Sequence, residues 1–255
     1  MLLIITACIL VEQGVHGVSI RNSTERLQGY LETIRWAIEE TDFSDILFCD
    51  NSNFDLYSVD EMRLLREQGE RNGKNLEYYY FQGNLNAVLA KGKGYGEGEI
   101  ISWLYDHCPT MRKYEYYYKI TGRLTIQNIH QVHLSDKPEN IFIFDLGSRC
   151  VDTRFYKLSM EDYKCFFKRI YMEVEDFQNV FLEHVYFRTL TSRHLAFKRF
   201  NRSLEFRGKS GTTGVEYCDI YNENLLFELV YNSFLYSTYL GRNILKYIRR
   251  FIVKE

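Results

Sequence analysis

Lys119, Thr121 and Arg123 stand at alternate positions at the end of the aromatic run YEYYYKITGR. In an extended chain these three share one face. Two cations and a hydroxyl on a common edge make a clamp for a phosphate or diphosphate, each charge-assisted hydrogen bond contributing about 1.5–3 kcal/mol. The alternative is that they are ordinary solvated edge charges. Upstream, KGKGYGEGE places Gly92, Gly94, Gly96 and Gly98 ahead of a helical pattern. Glycines allow close backbone approach to a ligand, and free N–H groups at a helix start attract anions. The segment is either such a cradle or a plain turn. Its G-x-G-x-G spacing lacks the register of a dinucleotide fingerprint, and no Gly-Lys-Ser/Thr follows as a P-loop requires.

Carboxylates supply the second chemistry. Asp50 and Asn51 follow the apolar run Ile46 to Cys49, where a carboxylate and an amide can bind a ribose or a base edge. Glu183 and His184 interrupt VFLEHVYF, Val180 to Phe187, and a charge among apolar flanks is costly unless partnered or used. A satisfied core pair is the other reading. Asp152 with Arg154, and Asp145 at the end of the run Ile141 to Asp145, complete the titratable candidates. His130-x-x-His133 reads as loop surface rather than a zinc pair.

These groups need elements to hold them. Leu2 to Cys8 is a continuous apolar, β-rich run that suits a central parallel strand. A polar loop, Val11 to Asn22, precedes a helix opened by Ser23-Thr24-Glu25-Arg26, with Leu27, Tyr30, Leu31, Ile34 and Ile38 on its buried face. Ser23 with Arg26 is only half a capping box. Strands at Ile46 to Cys49 and Leu76 to Phe81 flank a helix from Val59 to Gly69, and Gln82 to Ala90 leads into the glycine-rich turn. Tyr116 to Leu124 and Ile141 to Asp145 are further strands, Ser159 to Glu175 an aromatic-rich helix, and Arg199 to Thr213 a basic mobile loop near the site. The alternation predicts an α/β fold with a largely parallel, right-handed sheet flanked by helices. Residues 1–218 form one catalytic domain in this reading, and 219–255 a helical segment packed on it. The basic amphipathic end of that segment, with Arg242, Lys246, Arg249, Arg250 and Lys254, suits peripheral contact with an anionic membrane surface or a packed helix with a solvated face.

Composition limits the partners. The chain has 255 residues, 32 basic against 34 acidic, net charge -2, which argues against binding nucleic acid through bulk charge. Any anion site must be local. The six cysteines show no CxxC pair or metal-type spacing and read as reduced thiols of a cytosolic protein. MLLIITACIL lacks the basic start of a signal peptide, and no apolar run reaches the ~18 residues of a membrane span.

The TACI strand, the first helix with its Glu25-Arg26, the Asp50-Asn51-Ser52 strand end, Gly94-Tyr95-Gly96-Glu97-Gly98-Glu99 and Tyr118-Lys119-Ile120-Thr121-Gly122-Arg123 together resemble small bacterial glycosyltransferases of the GT-A-like (Rossmann-like) type. These act in capsule, O-antigen, lipopolysaccharide and related surface-polysaccharide synthesis. Asp152-Thr153-Arg154-Phe155-Tyr156 and Leu182-Glu183-His184-Val185 extend the resemblance over most of residues 2 to 190. It implies transfer of a sugar from a nucleotide-sugar donor to a hydroxyl of a glycan or lipid-linked glycan. In that setting Thr6, Ala7, Asp50 and Asn51 meet the nucleoside. Lys91, Gly94, Tyr95, Gly96, Glu97, Lys119, Thr121, Gly122 and Arg123 meet the diphosphate, with Asp145 and Arg154 completing the donor site. Glu183 is the first candidate for general base, held or tuned by His184, followed by Asp152 and then Asp145. Thr121-Gly122-Arg123 stands where an Asp-x-Asp metal motif belongs, so no cofactor is expected, with a divalent cation as the alternative. Two other classes stay open: a nucleotide-sugar-binding or scaffold protein with a degenerate site, and a different α/β enzyme such as a nucleotidyltransferase.

Overall fold

Every residue of the first strand is buried, because it lies between two cores: Leu3, Ile5 and Ala7 point into one, Leu2 and Ile4 into the other. The computed structural model describes residues 1–218 and, beyond them, Ile244 alone. The expected C-terminal helix and its membrane contact lie outside the described residues. In chain order the elements are β1 (Leu2–Ala7), α1 (Ser23–Glu39), β2 (Asp45–Asp50), α2 (Asp60–Arg71), β3 (Asn75–Tyr80), α3 (Leu85–Lys91), α4 (Lys93–His107), α5 (Pro109–Arg112) and β4 (Tyr116–Thr121). There follow β5 (Leu124–Ile126), β6 (Asn140–Asp145), β7 (Cys150–Ser159), α6 (Met160–Asp162), α7 (Leu182–Ser192), β8 (Phe197–Lys198), β9 (Phe206–Lys209) and β10 (Glu216–Cys218).

The main sheet has seven strands in the order β3-β2-β1-β4-β7-β6-β8. Its first four strands run parallel, β7 is antiparallel to both neighbours, and β8 is parallel to β6. The expected α/β class and mostly parallel sheet are therefore present. A second sheet, β10-β9-β5, is antiparallel, so the stretch expected as a mobile loop at Arg199 to Thr213 contributes a paired strand. No helix among the described residues is long and apolar enough to cross a membrane.

Helix α1 starts one residue from the expected cap: Asn22, not Ser23, accepts the Glu25 N–H. Its buried stripe includes Tyr30, Leu31, Ile34 and Ile38 as the spacing requires, but also Arg26. The strand expected to reach Leu124 stops at Thr121. Gly122 donates its N–H to the Thr6 carbonyl, and Arg123 turns the chain with φ 68. A side chain at 122 would come within 2.7 Å of that carbonyl oxygen. Lys119 and Thr121 thus share a strand face, and Arg123 reaches the same region from a turn. The single helix expected at Ser159 to Glu175 is instead the end of β7, α6, a π turn at Tyr163–Phe167 and a 3-10 turn at Ile170–Glu173. This bent path carries Tyr171 onto Gly98 and Asp176 onto the start of α4.

The glycine-rich segment is the largest departure. It is helix rather than turn: only Gly92, with φ 104, interrupts the chain, and Gly94, Gly96 and Gly98 lie inside α4. Each exposed helical glycine costs about 1 kcal/mol relative to alanine. Here the absence of a side chain is required by neighbours. A Cβ at Gly98 would collide with the Cβ of Tyr171, one at Gly94 would press on Val174, and one at Gly96 on Asn51. Gly98→Ala is expected to lower stability by about 1–3 kcal/mol in urea denaturation through overpacking, despite alanine's better helix propensity. A gain in stability would show that Tyr171 does not hold this helix.

Candidate functional site

Beyond β1 the crossovers reverse direction, since β2 and β3 lie on one side and β4 on the other. Ligands of open α/β sheets bind outside the carboxyl ends of the strands at such a switch point. A cavity of about 740 Å³ opens there, lined among others by Thr6, Ala7, Cys8, Thr121, Gly122 and Arg123. Asn51, Gly96, Glu97, Asp145, Asp152, Arg154 and Glu183 also reach it. Most of the expected site residues thus converge on one cavity from distant parts of the chain.

Several expected ligand groups are already occupied. Asp50 is fully buried and accepts hydrogen bonds from the Ile9 N–H (2.6 Å), the Ser52 N–H (2.8 Å) and the Ser52 hydroxyl (2.6 Å). It ties the loop after β1 to the loop after β2 and is not available to a ribose. Burial pushes its carboxyl above the usual range, against the pull of these donors. Lys91 points away from the cavity to the Met172 carbonyl and Glu175, both at 2.7 Å. Tyr95 is buried against Tyr171. The start of α4 is filled by the protein's own anion, Asp176, which accepts the Gly94 N–H at 3.2 Å. The glycine segment therefore offers no free amide cradle. His184 turns its Nδ1 to the Phe181 N–H at 3.3 Å and stacks on the Phe181 ring, so it closes the start of α7 rather than tuning Glu183.

The cations divide sharply. Lys119 is 1% exposed and bonds the Glu97 carboxylate, the Thr121 hydroxyl (2.7 Å) and the Thr153 carbonyl (2.7 Å). It is a structural cation beneath the cavity, not a phosphate ligand. Arg154 grips Asp152 through Nε and Nη2 at 2.6–3.0 Å and lies over the rings of Phe206 and Tyr217. This pairing engages Asp152, the second base candidate. Asp145 accepts the Gly147 N–H at 2.8 Å and the Ser148 N–H at 3.3 Å in the β6–β7 turn. Arg123 differs: its Nε and Nη1 are buried without a hydrogen-bond partner. Its guanidinium lies over the Tyr30 ring at 5.6 Å, and side chains at Gly29 or Gly211 would stand 2.9 Å from its Cγ and 2.7 Å from its Nη2. Two glycines make room for this arginine.

Glu183 lines the same cavity and accepts the Thr153 hydroxyl at 3.1 Å. Burial pushes its carboxyl above the ordinary range, the charges of Glu97 and Asp152 add to the shift, and the Thr153 hydrogen bond opposes it. The Cys8 thiol, also in the wall, is pushed up to about 11 by burial and so stays protonated at neutral pH. Among the described residues no group of three or more His, Cys, Asp or Glu is placed to hold a metal ion.

Sequence reasoning placed Arg26 and Tyr30 in the first helix but not at the site, and did not single out Lys93 within the Lys91 to Gly98 stretch it assigned to the diphosphate. Arg26 is 5% exposed and donates to the carbonyls of Cys8 (2.6 Å) and Ile20 (2.9 Å) and to the Tyr30 hydroxyl (3.0 Å). A charge four residues before Tyr30 on the apolar stripe of α1 was the available signal. Lys93 reaches Thr212 and links the cavity to the stretch after β9.

Fold and site define an α/β protein with a mostly parallel sheet flanked by helices, compatible with a Rossmann-like fold, and a cavity at its switch point. Comparison with known family models and with curated proteins finds no match to this chain.

The raised carboxyl of Glu183 has a consequence for stability. Its protonated form is favoured by folding, so its contribution is fully present below the unfolded pKa and is lost as pH rises through the folded one. Glu183→Gln is therefore expected to be more stable than the native chain at pH 7. The difference should shrink as pH falls toward about 4, where both chains carry a neutral side chain. Urea midpoints across that range measure it, and equal midpoints at pH 7 would contradict the assignment.

Proposed function

We propose that the protein transfers a sugar from a nucleotide-sugar donor to a hydroxyl of a glycan or lipid-linked glycan, in the synthesis of a bacterial surface polysaccharide. The observation that carries this reading is Arg123: a guanidinium with unpartnered buried donors, set by a left-handed turn into the switch-point cavity that Glu183 also lines. The seven-stranded sheet with one reversed strand supports the GT-A-like resemblance. In this mechanism the donor diphosphate lies against Arg123 near the β1 and β4 ends, where Thr6, Ala7 and Asn51 meet the nucleoside. Glu183 accepts the proton of the acceptor hydroxyl as that oxygen bonds to the anomeric carbon. The bond from that carbon to the phosphate oxygen breaks, and its electron pair leaves with the diphosphate. A carboxylate whose proton affinity is raised by burial is a better proton acceptor than an exposed one. Positive groups aimed at developing phosphate charge accelerate such reactions by factors of about 10³ or more.

A second reading, nucleotide-sugar binding without turnover, is favoured by one observation: Asp50, Lys119 and Asp152 are all engaged within the protein. Thermal-shift screening against UDP, GDP, CMP and dTDP sugars, followed by an assay of sugar transfer or hydrolysis, separates the two. Transfer supports the enzyme, and a thermal shift with no turnover supports the binder. Where transfer is found, Arg123→Ala should weaken donor use more than substitution of Lys91 or Lys93, by about 10³ in kcat/KM. Glu183→Gln should abolish transfer while leaving nucleotide binding in place. Activity that vanishes in EDTA and returns with Mn²⁺ would show that a metal shares the charge assigned to Arg123.

A further inference from the structure

Between the two glycines that pin α4 stands Glu97. Gly96 lets the helix approach Asn51 and Gly98 lets it approach Tyr171, so the backbone on each side of Glu97 is fixed by close packing. Its carboxylate, 27% exposed at the cavity, meets the buried Lys119 ammonium and accepts the Thr121 hydroxyl at 3.3 Å. Lys119 also holds the Thr153 carbonyl, and the hydroxyl of the same Thr153 donates to Glu183. Four elements, α4, β4, β7 and α7, therefore meet through one connected polar set. It joins two carboxylates through a cation and a threonine.

We infer that Glu97 and Lys119 are positioning residues for Glu183: together they fix its hydrogen bond from Thr153 and govern when it carries a proton. This rests on the reading of Glu183 as the base for an acceptor hydroxyl. The other groups facing Glu183 are Asp152, whose charge is matched by Arg154, and the Cys150 thiol, both on β7. Its helix neighbour His184 is turned to the Phe181 backbone. Glu97 is thus the facing carboxylate that is paired with the buried Lys119 amine, and that amine also holds the carbonyl of the threonine whose hydroxyl donates to Glu183.

The arrangement makes two substitutions act in opposite directions. Glu97→Gln removes a negative charge near Glu183 and leaves the Lys119 cation uncompensated, which favours ionised Glu183 and lowers its pKa. Lys119→Met removes the cation and leaves two carboxylates facing each other, which raises it. A role confined to packing would not produce opposite shifts.

The test is a carbon-13 NMR titration of glutamate-labelled full-length chain, with the Glu183 signal assigned by its loss in Glu183→Gln. The inference expects the Glu183 midpoint to move down in Glu97→Gln and up in Lys119→Met. Unchanged midpoints, or shifts of the same sign, overturn it, and Glu97→Gln alone decides if Lys119→Met does not fold. In a transfer assay the acid limb of the pH–rate profile should move with these midpoints. The plateau kcat of Glu97→Gln should fall on the order of tenfold with KM little changed, because a weaker base transfers the proton less readily. The titration needs no substrate, so the inference and the function fail separately. Opposite shifts with no transfer from any nucleotide sugar would leave the pairing intact and remove the glycosyl-transfer reading. Transfer without the shifts would do the reverse.

Discussion

The ammonium of Lys119 is buried where α4, β4 and β7 meet, and the cavity floor is arranged to satisfy it. An unpaired ammonium in such a place costs several kcal/mol even after relaxation. Its three partners are therefore not optional, and each belongs to a different part of the site. Glu97 holds the early turns of α4, Thr121 is the last residue of β4, and the Thr153 carbonyl fixes β7 one residue from Asp152. Once these are set, Thr153 has one orientation from which its hydroxyl meets Glu183. A single desolvated charge thus dictates much of the geometry of the cavity floor.

The walls above that floor are loops, and they are held by polar groups that a reading for ligands would assign elsewhere. Asp50 joins Ile9 to Ser52, and Arg26 joins Cys8 to Ile20. Ser19 joins the loop before α1 to Ser210 and Gly211. Loop backbone at a sheet edge has no ladder to satisfy it, so side chains must do so. Buried carboxylates and guanidiniums do this well because each takes several partners at once. The cavity is consequently open in shape yet has few unengaged polar groups.

What the sequence made legible follows from which forces act locally. The apolar runs of β1 and β2 and the stripe of α1 are set by burial with a fixed period, and the structure places them within a residue or two. The convergence of Thr6, Asn51, Thr121, Arg123, Asp152 and Glu183 on one cavity was legible too, because all sit at strand ends or just beyond, and at the start of α7. Whether a charge is free was not. Lys119 finds Glu97 in another element 22 residues away, a pairing no spacing gives, whereas Arg154 and Asp152 share a strand face by alternation but their pairing takes both out of the ligand set. The glycine segment misled for a related reason. Propensity alone argues against helix there, and the close approach of Asn51 and Tyr171 that reverses the balance is a tertiary fact.

Arg123 departs from the pairing seen at Arg26, Lys119 and Arg154. With a net charge of -2 the chain as a whole draws no anion, so attraction for one must arise locally. A non-glycine residue in the left-handed region costs roughly 1–2 kcal/mol, and a buried donor without a partner about 1–3 kcal/mol. The fold carries both penalties at the same residue and also gives up side chains at Gly29 and Gly211 to seat it. A merely structural arginine could turn to a carbonyl or carboxylate, as Arg26 and Arg154 do. Local strain of this kind clusters at functional sites, which is the ground for proposing a ligand at Arg123. The planar, permanently charged guanidinium, backed by the Tyr30 ring in a desolvated wall, is chemically matched to phosphate oxygens. That match, rather than any motif, is what supports the proposal of a phosphate-bearing ligand.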